Sequence, residues 1–178
     1  MVVFDASVLL LVLAPNARPP LDPKTKAPVE RAARRIEHLI DTLDRNREKI
    51  VIPTPVLSEV LVHSGEAMQA YLASLNGKAV FRIAPFDQKA AIEAALAHRD
   101  ALIRGGHRID AADPDASRTK IKFDRQIVAI AKAEGARAVY SDDNDVIAYA
   151  KRAGLEACRT ADLDLPPEDL QGNLNLET

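Results

Sequence analysis

Four acidic side chains stand in this sequence where apolar segments end or turn. They are Asp5 after Val2-Val3-Phe4, Glu59 in Thr54-Pro55-Val56-Leu57-Ser58-Glu59, Asp124 in Phe123-Asp124-Arg125-Gln126-Ile127, and Asp143 in Val139-Tyr140-Ser141-Asp142-Asp143. A carboxylate at a buried edge is costly unless a positive charge neutralises it, and a hard divalent cation does so well. Two carboxylates about 4 Å apart repel by about 4 kcal/mol at an effective dielectric near 20. A group of three or four must therefore take up protons or bind cations. An all-oxygen donor set favours Mg²⁺ or Mn²⁺ over zinc. Such an ion lowers the pKa of a bound water and holds a phosphodiester for in-line attack. That chemistry requires no histidine or cysteine, and His38, His63, His98, His107 and Cys158 form no nucleophilic pattern. Singly, each aspartate is also an ordinary turn or cap residue. The hypothesis rests on the set.

The elements that must bring these residues together follow from hydrophobic patterning. Val2–Phe4, Ile50–Ile52, Ala79–Ile83, Ala138–Tyr140 and Leu155–Ala157 read as short buried strands. Between them lie helical stretches at Val8–Leu13 (with Ser7 as its cap), 29–47, 55–63, 66–75, 87–103, 120–134 and 145–152. Thr54-Pro55 makes a helix start with threonine as N-cap, and Gly135 supplies a C′ stop. In the helix over 120–134, Ile121, Phe123, Ile127, Val128 and Ala131 are the candidate core residues. Residues 14–28 carry five prolines and form a loop, and 105–117 reads as an irregular connector. Alternation of strand and helix gives the α/β class, with a three-layer α/β/α sandwich around a mainly parallel sheet. Sites in such sheets form beyond the carboxyl ends of the strands. Asp5 and the Ser141-Asp142-Asp143 turn fall there, Asp124 projects from the first turn of its helix toward the same edge, and Glu59 reaches inward one turn past Pro55.

Composition limits the partners. A chain of 178 residues with 47% hydrophobic side chains is expected to be one compact domain over 1–160, with a surface extension over 161–178. The net charge of −2 excludes a globally basic nucleic-acid binder, so a polyanion would be met by a local patch and bound metal. Arg118, Lys120 and Lys122, just ahead of Asp124, are the candidates for phosphate contact. One cysteine fits a reducing cytoplasm, and no stretch approaches the roughly 18 apolar residues of a membrane span. The N-terminal apolar run carries Asp5 and lacks a positive leader, unlike a signal peptide.

Phe4-Asp5-Ala6-Ser7, Pro55-x-x-x-Glu59, Asp124-x-x-Ile127-Val128-x-Ile130-Ala131 and Val139-Tyr140-Ser141-x-Asp143-x-Asp145 together resemble the PIN domain, in particular the ribonucleases of the VapC toxin type. The resemblance runs from residue 1 to about 160 and is carried by the order of four individually weak motifs. It implies a parallel sheet sandwiched by helices and Mg²⁺- or Mn²⁺-dependent hydrolysis of RNA leaving a 5′-phosphate. By position it implies that Asp5, Asp124 and Asp143 are metal ligands and that Glu59 helps hold the metal or activate water. Asp145 and Asp142 are further ligand candidates, and Ser7 and Ser141 would orient the carboxylates. Beside the RNA substrate, an antitoxin protein and a second copy of the chain are the candidate partners. The sequence departs from the pattern in the longer 14–28 and 105–117 segments, in Ser141 where threonine is usual, and in Asp142, which makes the last ligand ambiguous.

Two other readings compete. A PIN nuclease of RNA processing, or a non-catalytic scaffold, would share the fold without a toxin role. A phosphohydrolase of the haloacid dehalogenase type also has an aspartate after its first strand, but needs an acid two residues later, where this chain has Ser7.

Overall fold

The computed structural model describes residues 1–106, 111–113, 115 and 117–166. The expected tail beyond Pro166 and residues 107–110, 114 and 116 of the expected connector lie outside the described residues.

Five short strands form one parallel sheet: β1 (Val2–Phe4), β2 (Ile50–Pro53), β3 (Phe81–Ala84), β4 (Ala138–Tyr140) and β5 (Glu156–Cys158). Their order is β3-β2-β1-β4-β5. The middle of the sheet is buried on both faces, with Val2, Val3, Phe4, Ile50, Val51, Ile52, Ala138 and Val139 all at 0% exposure, hence the unbroken apolar runs in the sequence. The helices are α1 (Ala6–Leu13), α2 (Ala32–Arg45), α3 (Thr54–Ser64), α4 (Met68–Asn76), α5 (Gln88–Arg104), α6 (Arg118–Ala133) and α7 (Asn144–Arg152). Helices α1 to α4 pack as one group and α5 to α7 as another, as right-handed crossovers in this strand order require for the two faces of the sheet. The expected three-layer α/β/α architecture is observed, with every strand of the sheet parallel.

This strand order has one topological switch point. From β1 the chain steps outward through β2 to β3, then returns across the sheet to pair β4 on the other side of β1. The crossovers leave β1 and β4 on opposite sides, which opens a crevice at their carboxyl ends. Phe4 pairs with Tyr140 in register, and their rings meet edge to face at 5.6 Å. The residues just beyond that pair, Asp5 and Ser141, therefore emerge side by side.

Local chemistry sets the helix ends, with several departures from expectation. Asp5, not Ser7, is the N-cap residue of α1, because the helix begins at Ala6 directly from the strand. Pro53 is the residue preceding α3, so Thr54 is its first residue; the Thr54 hydroxyl instead accepts from Phe86 N–H at 3.3 Å. Ser117 caps α6 by accepting from Lys120 N–H at 3.1 Å, which starts the helix two residues earlier than the apolar pattern marked. Asp124 consequently lies in the second turn of α6 rather than at its start. Gly135 has φ of 67°, the left-handed geometry expected after a helix C-terminus. Phe123, a candidate for the core, is 45% exposed, since the buried stripe of α6 runs through Ile121, Ile127, Val128 and Ala131.

The 14–28 segment contains no helix and is folded back by a single antiparallel bridge between Leu21 and Pro28. At the far end of the described chain, the Arg35 guanidinium on α2 donates to the Leu163 carbonyl, so packing continues a few residues past β5.

Candidate metal centre

The switch-point crevice is a cleft of about 460 Å³ lined by Asp5, Ser7, Leu10, Ser58, Glu59, Val62, Lys120, Phe123, Asp124, Asp143 and Val146. Four separate stretches of sequence meet there. A larger groove of about 650 Å³ between α5 and α6 has no acidic residue in its wall.

Asp5 sits at the floor, 4% exposed. Its Oδ2 accepts from Ser141 Oγ at 2.7 Å and Ser7 Oγ at 3.0 Å. Each hydroxyl also accepts a backbone N–H of the β4–α7 turn: Ser7 Oγ from Asp142 at 3.0 Å and Ser141 Oγ from Asp143 at 3.0 Å. The two serines thus bind the Asp5 carboxylate to the turn that presents Asp143. Burial pushes the Asp5 carboxyl above the ordinary range, against the pull of the Ser141, Ala6 and Ser7 hydrogen bonds, and the Asp143 charge pushes the same way.

Asp143 is the N-cap of α7. Its Oδ1 accepts from Asp145 N–H at 2.7 Å and Val146 N–H at 3.3 Å, which fixes its side chain at the cleft wall. Asp145, 2% exposed, accepts at Oδ1 from the backbone N–H groups of Ala112 (2.5 Å) and Asp113 (3.1 Å). Asp124, 7% exposed, faces them from α6. One carboxylate oxygen from each of Asp124, Asp143 and Asp145 lies within 4.8 Å of the others. Desolvation raises Asp124 to about 6 despite its Lys120 partner, with Asp143 and Asp5 adding to the rise.

Lys120, four residues before Asp124 on the same face of α6, inserts its ammonium among the three. Nζ lies 2.9 Å from Asp124 Oδ2, 2.7 Å from Asp145 Oδ2 and 3.1 Å from Asp143 Oδ2. Burial disfavours that charge, but bonds to Asp145, Asp124 and Asp143 outweigh it and hold the amine above its usual range. Asp145 is in turn held below the carboxylate range, its desolvation overcome by Lys120 and the two backbone donors.

Glu59 stands across the cleft on α3, exposed to solvent on one side. Its carboxyl is raised by desolvation first and by the Asp5 charge second. Rim positions are apolar: Val62 is 77% exposed, and Phe123 is the one exposed aromatic among the described residues.

The structure therefore gathers Asp5, Glu59, Asp124 and Asp143 on one cleft, with Asp145 buried beside Asp124 and Asp143 and with Ser7 and Ser141 bonded to Asp5. Asp142 is directed elsewhere. Its carboxylate accepts from Thr160 N–H (3.0 Å) and Thr160 Oγ1 (2.5 Å), pinning the chain after β5. Arg118 and Lys122 are exposed on the neighbouring face of α6 and line the α5–α6 groove, while Lys120 is committed to carboxylates. Ser7 leaves no acid two residues after Asp5, and its hydroxyl is engaged. Sequence reasoning missed the ion-pair role of Lys120, although its i,i+4 spacing to Asp124 was a usable signal.

The donor set suits a hard divalent cation. It is all oxygen, the three converging carboxylates already enclose a positive charge, and Asp5 and Asp124 are destabilised as anions without one.

No family model matches the chain, and no curated protein matches it either. Solved structures do. A chain of FitAB bound to an IR36 DNA fragment superposes with a TM-score of 0.59 at 19% identity, covering 92% of this chain and 98% of that one. A chain of VapBC2 from Rickettsia felis, bound to a DNA fragment from its promoter, gives 0.58 at 15% identity, covering 89% and 98%. A chain of DNA-bound VapBC from Salmonella typhimurium gives 0.53 at 16%, covering 89% and 97%. At these identities the likeness is one of fold, and the chain carries the PIN-like α/β/α fold of the VapC-type structures over nearly its whole described length.

Proposed function

We propose that this chain is a divalent-metal-dependent endoribonuclease that hydrolyses RNA phosphodiesters, with Mg²⁺ or Mn²⁺ as its ion. The observation that carries the reading is the carboxylate cluster at the switch point, with Asp124, Asp143 and Asp145 within 4.8 Å and Asp5 and Glu59 on the same cleft. Asp5, Asp124 and Asp143 would hold the ion, with Glu59 at its open side. A bound divalent ion supplies charge neutralisation for a phosphodiester and acidifies an attacking water.

The chain's own residues do the remaining work. Ser141 and Ser7 fix the Asp5 carboxylate, so its orientation costs nothing when the ion arrives. Glu59, with a raised carboxyl pKa and no fixed partner in the cleft, is suited to accept a proton from water. Phe123 and Val62 offer an apolar rim on which a nucleotide base can stack or pack, favouring single-stranded substrate.

The toxin role of a toxin–antitoxin pair is the more specific form of this reading. It is supported by the likeness to chains solved within VapBC and FitAB complexes, and it implies an antitoxin partner and a cytoplasmic site of action. No described helix is long and apolar enough to cross a membrane. A processing nuclease of the same fold would cleave RNA without a cognate inhibitor. Cleavage of single-stranded RNA by the purified chain should require Mg²⁺ or Mn²⁺, stop with chelator, and vanish in Asp5→Asn. Metal-independent cleavage, or full activity of that variant, would overturn the proposal. Co-expression with a neighbouring small DNA-binding protein, followed by co-purification, separates toxin from processing enzyme.

A further inference from the structure

The position of Lys120 bears on how many ions the cleft takes. Metal-dependent phosphodiester hydrolysis is carried out with either one or two ions, and four carboxylates on the cleft wall with Asp145 buried beside them have charge enough for two. Here one cation position is already filled from within the chain. The ammonium touches Asp124, Asp143 and Asp145 at 2.9, 3.1 and 2.7 Å, the three whose oxygens lie within 4.8 Å of each other.

The bonding of Asp145 makes that position a built one. Both of its oxygens are used, Oδ1 by the N–H groups of Ala112 and Asp113 and Oδ2 by Lys120. At 2% exposure it is closed off from solvent, and its Oδ2 accepts from Lys120. Asp143 is bound at Oδ1 by two backbone donors as well as by the ammonium. The remaining carboxylates on the cleft wall are Asp5 and Glu59, which share the cleft with Asp124 and Asp143.

We propose that Lys120 is a resident cation standing in for a second metal, so that the cleft binds a single divalent ion on its Asp5–Glu59 side. This rests on the nuclease reading above. The role is distinct from the phosphate contact expected for this lysine, since a side chain held by three carboxylates is not offered to an incoming anion. Asp145 then acts as a positioning residue through Lys120.

The test is the stoichiometry of Mn²⁺ binding by calorimetry on the full chain without RNA, with electron paramagnetic resonance to detect spin-coupled Mn²⁺ pairs. The expected result is one Mn²⁺ per chain in the parent protein and in Lys120→Arg, with no coupled signal. In Lys120→Met the emptied pocket should admit a second ion, giving two per chain and a coupled signal. Two ions in the parent protein, or one in Lys120→Met, would overturn the inference while leaving the nuclease reading intact. No binding by the parent protein would overturn both. Two ions in the parent protein would overturn the inference even if Lys120→Met does not fold.

Discussion

Asp124 is a buried acid whose place in the cleft bears on stability. Its carboxyl is raised to about 6, chiefly by burial, against a reference near 3.8. A raised acid stabilises the fold below the unfolded-state value, and that contribution is lost as pH climbs through the folded-state value. The metal-free protein should therefore lose stability between about pH 4 and pH 6 from this group. Asp124→Asn should melt higher than the parent at pH 8 without metal, and the gap should close by pH 4. Calorimetric melts across that range check it; an equal or lower melting temperature at pH 8 would show that the Lys120 contact outweighs desolvation. Added Mn²⁺ should reverse the order, because only the parent carboxylate gains from the ion. The adjacent Phe123 makes a complementary case. If its exposed ring stacks a base, Phe123→Ala should weaken single-stranded RNA binding by roughly 1–3 kcal/mol, read as a rise in KM, with Mn²⁺ affinity unchanged. A fall in kcat alone would assign the ring to packing beside Asp124 instead.

At the scale of elements, the turn between β4 and α7 carries two adjacent aspartates with opposite duties. Asp142 holds Thr160 and so anchors the chain after β5, while Asp143 caps α7 and faces the cleft. Asp142→Ala should lower the melting temperature through the lost Thr160 bonds, roughly 1–3 kcal/mol for buried groups left unpaired, and leave Mn²⁺ affinity near that of the parent. Asp143→Ala should abolish tight Mn²⁺ binding. The reverse pattern in titration calorimetry would exchange the two roles. This is also where the sequence was least legible. Strands β1, β2 and β4 could be read from apolar runs because both faces of the central sheet are covered. Helix α6 could be read from its periodicity. The choice between Asp142 and Asp143 could be suggested only by spacing from Ser141, since the bond that directs Asp142 away comes from Thr160, 18 residues later. In the same way Phe123 reads as core by composition. Its neighbours on the helix cylinder, Lys120 and Asp124, are what draw that face to the cleft.

Across the whole molecule, the acidic cleft and the basic pair Arg118 and Lys122 lie on different faces of α6. The net charge is −2, and the lysine inside the cleft is spent on carboxylates, so general attraction for RNA is weak. Arg118 and Lys122 line the α5–α6 groove one helical face away, together with Gln126 and His98. On the proposed reading, an RNA strand with its scissile phosphate in the cleft would reach them by crossing over α6. If it does, each contact releases counterions, and the logarithm of affinity falls with the logarithm of salt by roughly 0.7 per phosphate on a single strand. The double variant Arg118→Ala, Lys122→Ala should then flatten that slope by about 1.4. Both residues lie outside the cleft, so kcat at saturating RNA should stay at the parent value. A substrate too short to span both faces should show no difference between variant and parent. An unchanged slope with long RNA would confine the strand to the Glu59–Val62 side of the cleft and leave the α5–α6 groove without a part in substrate binding.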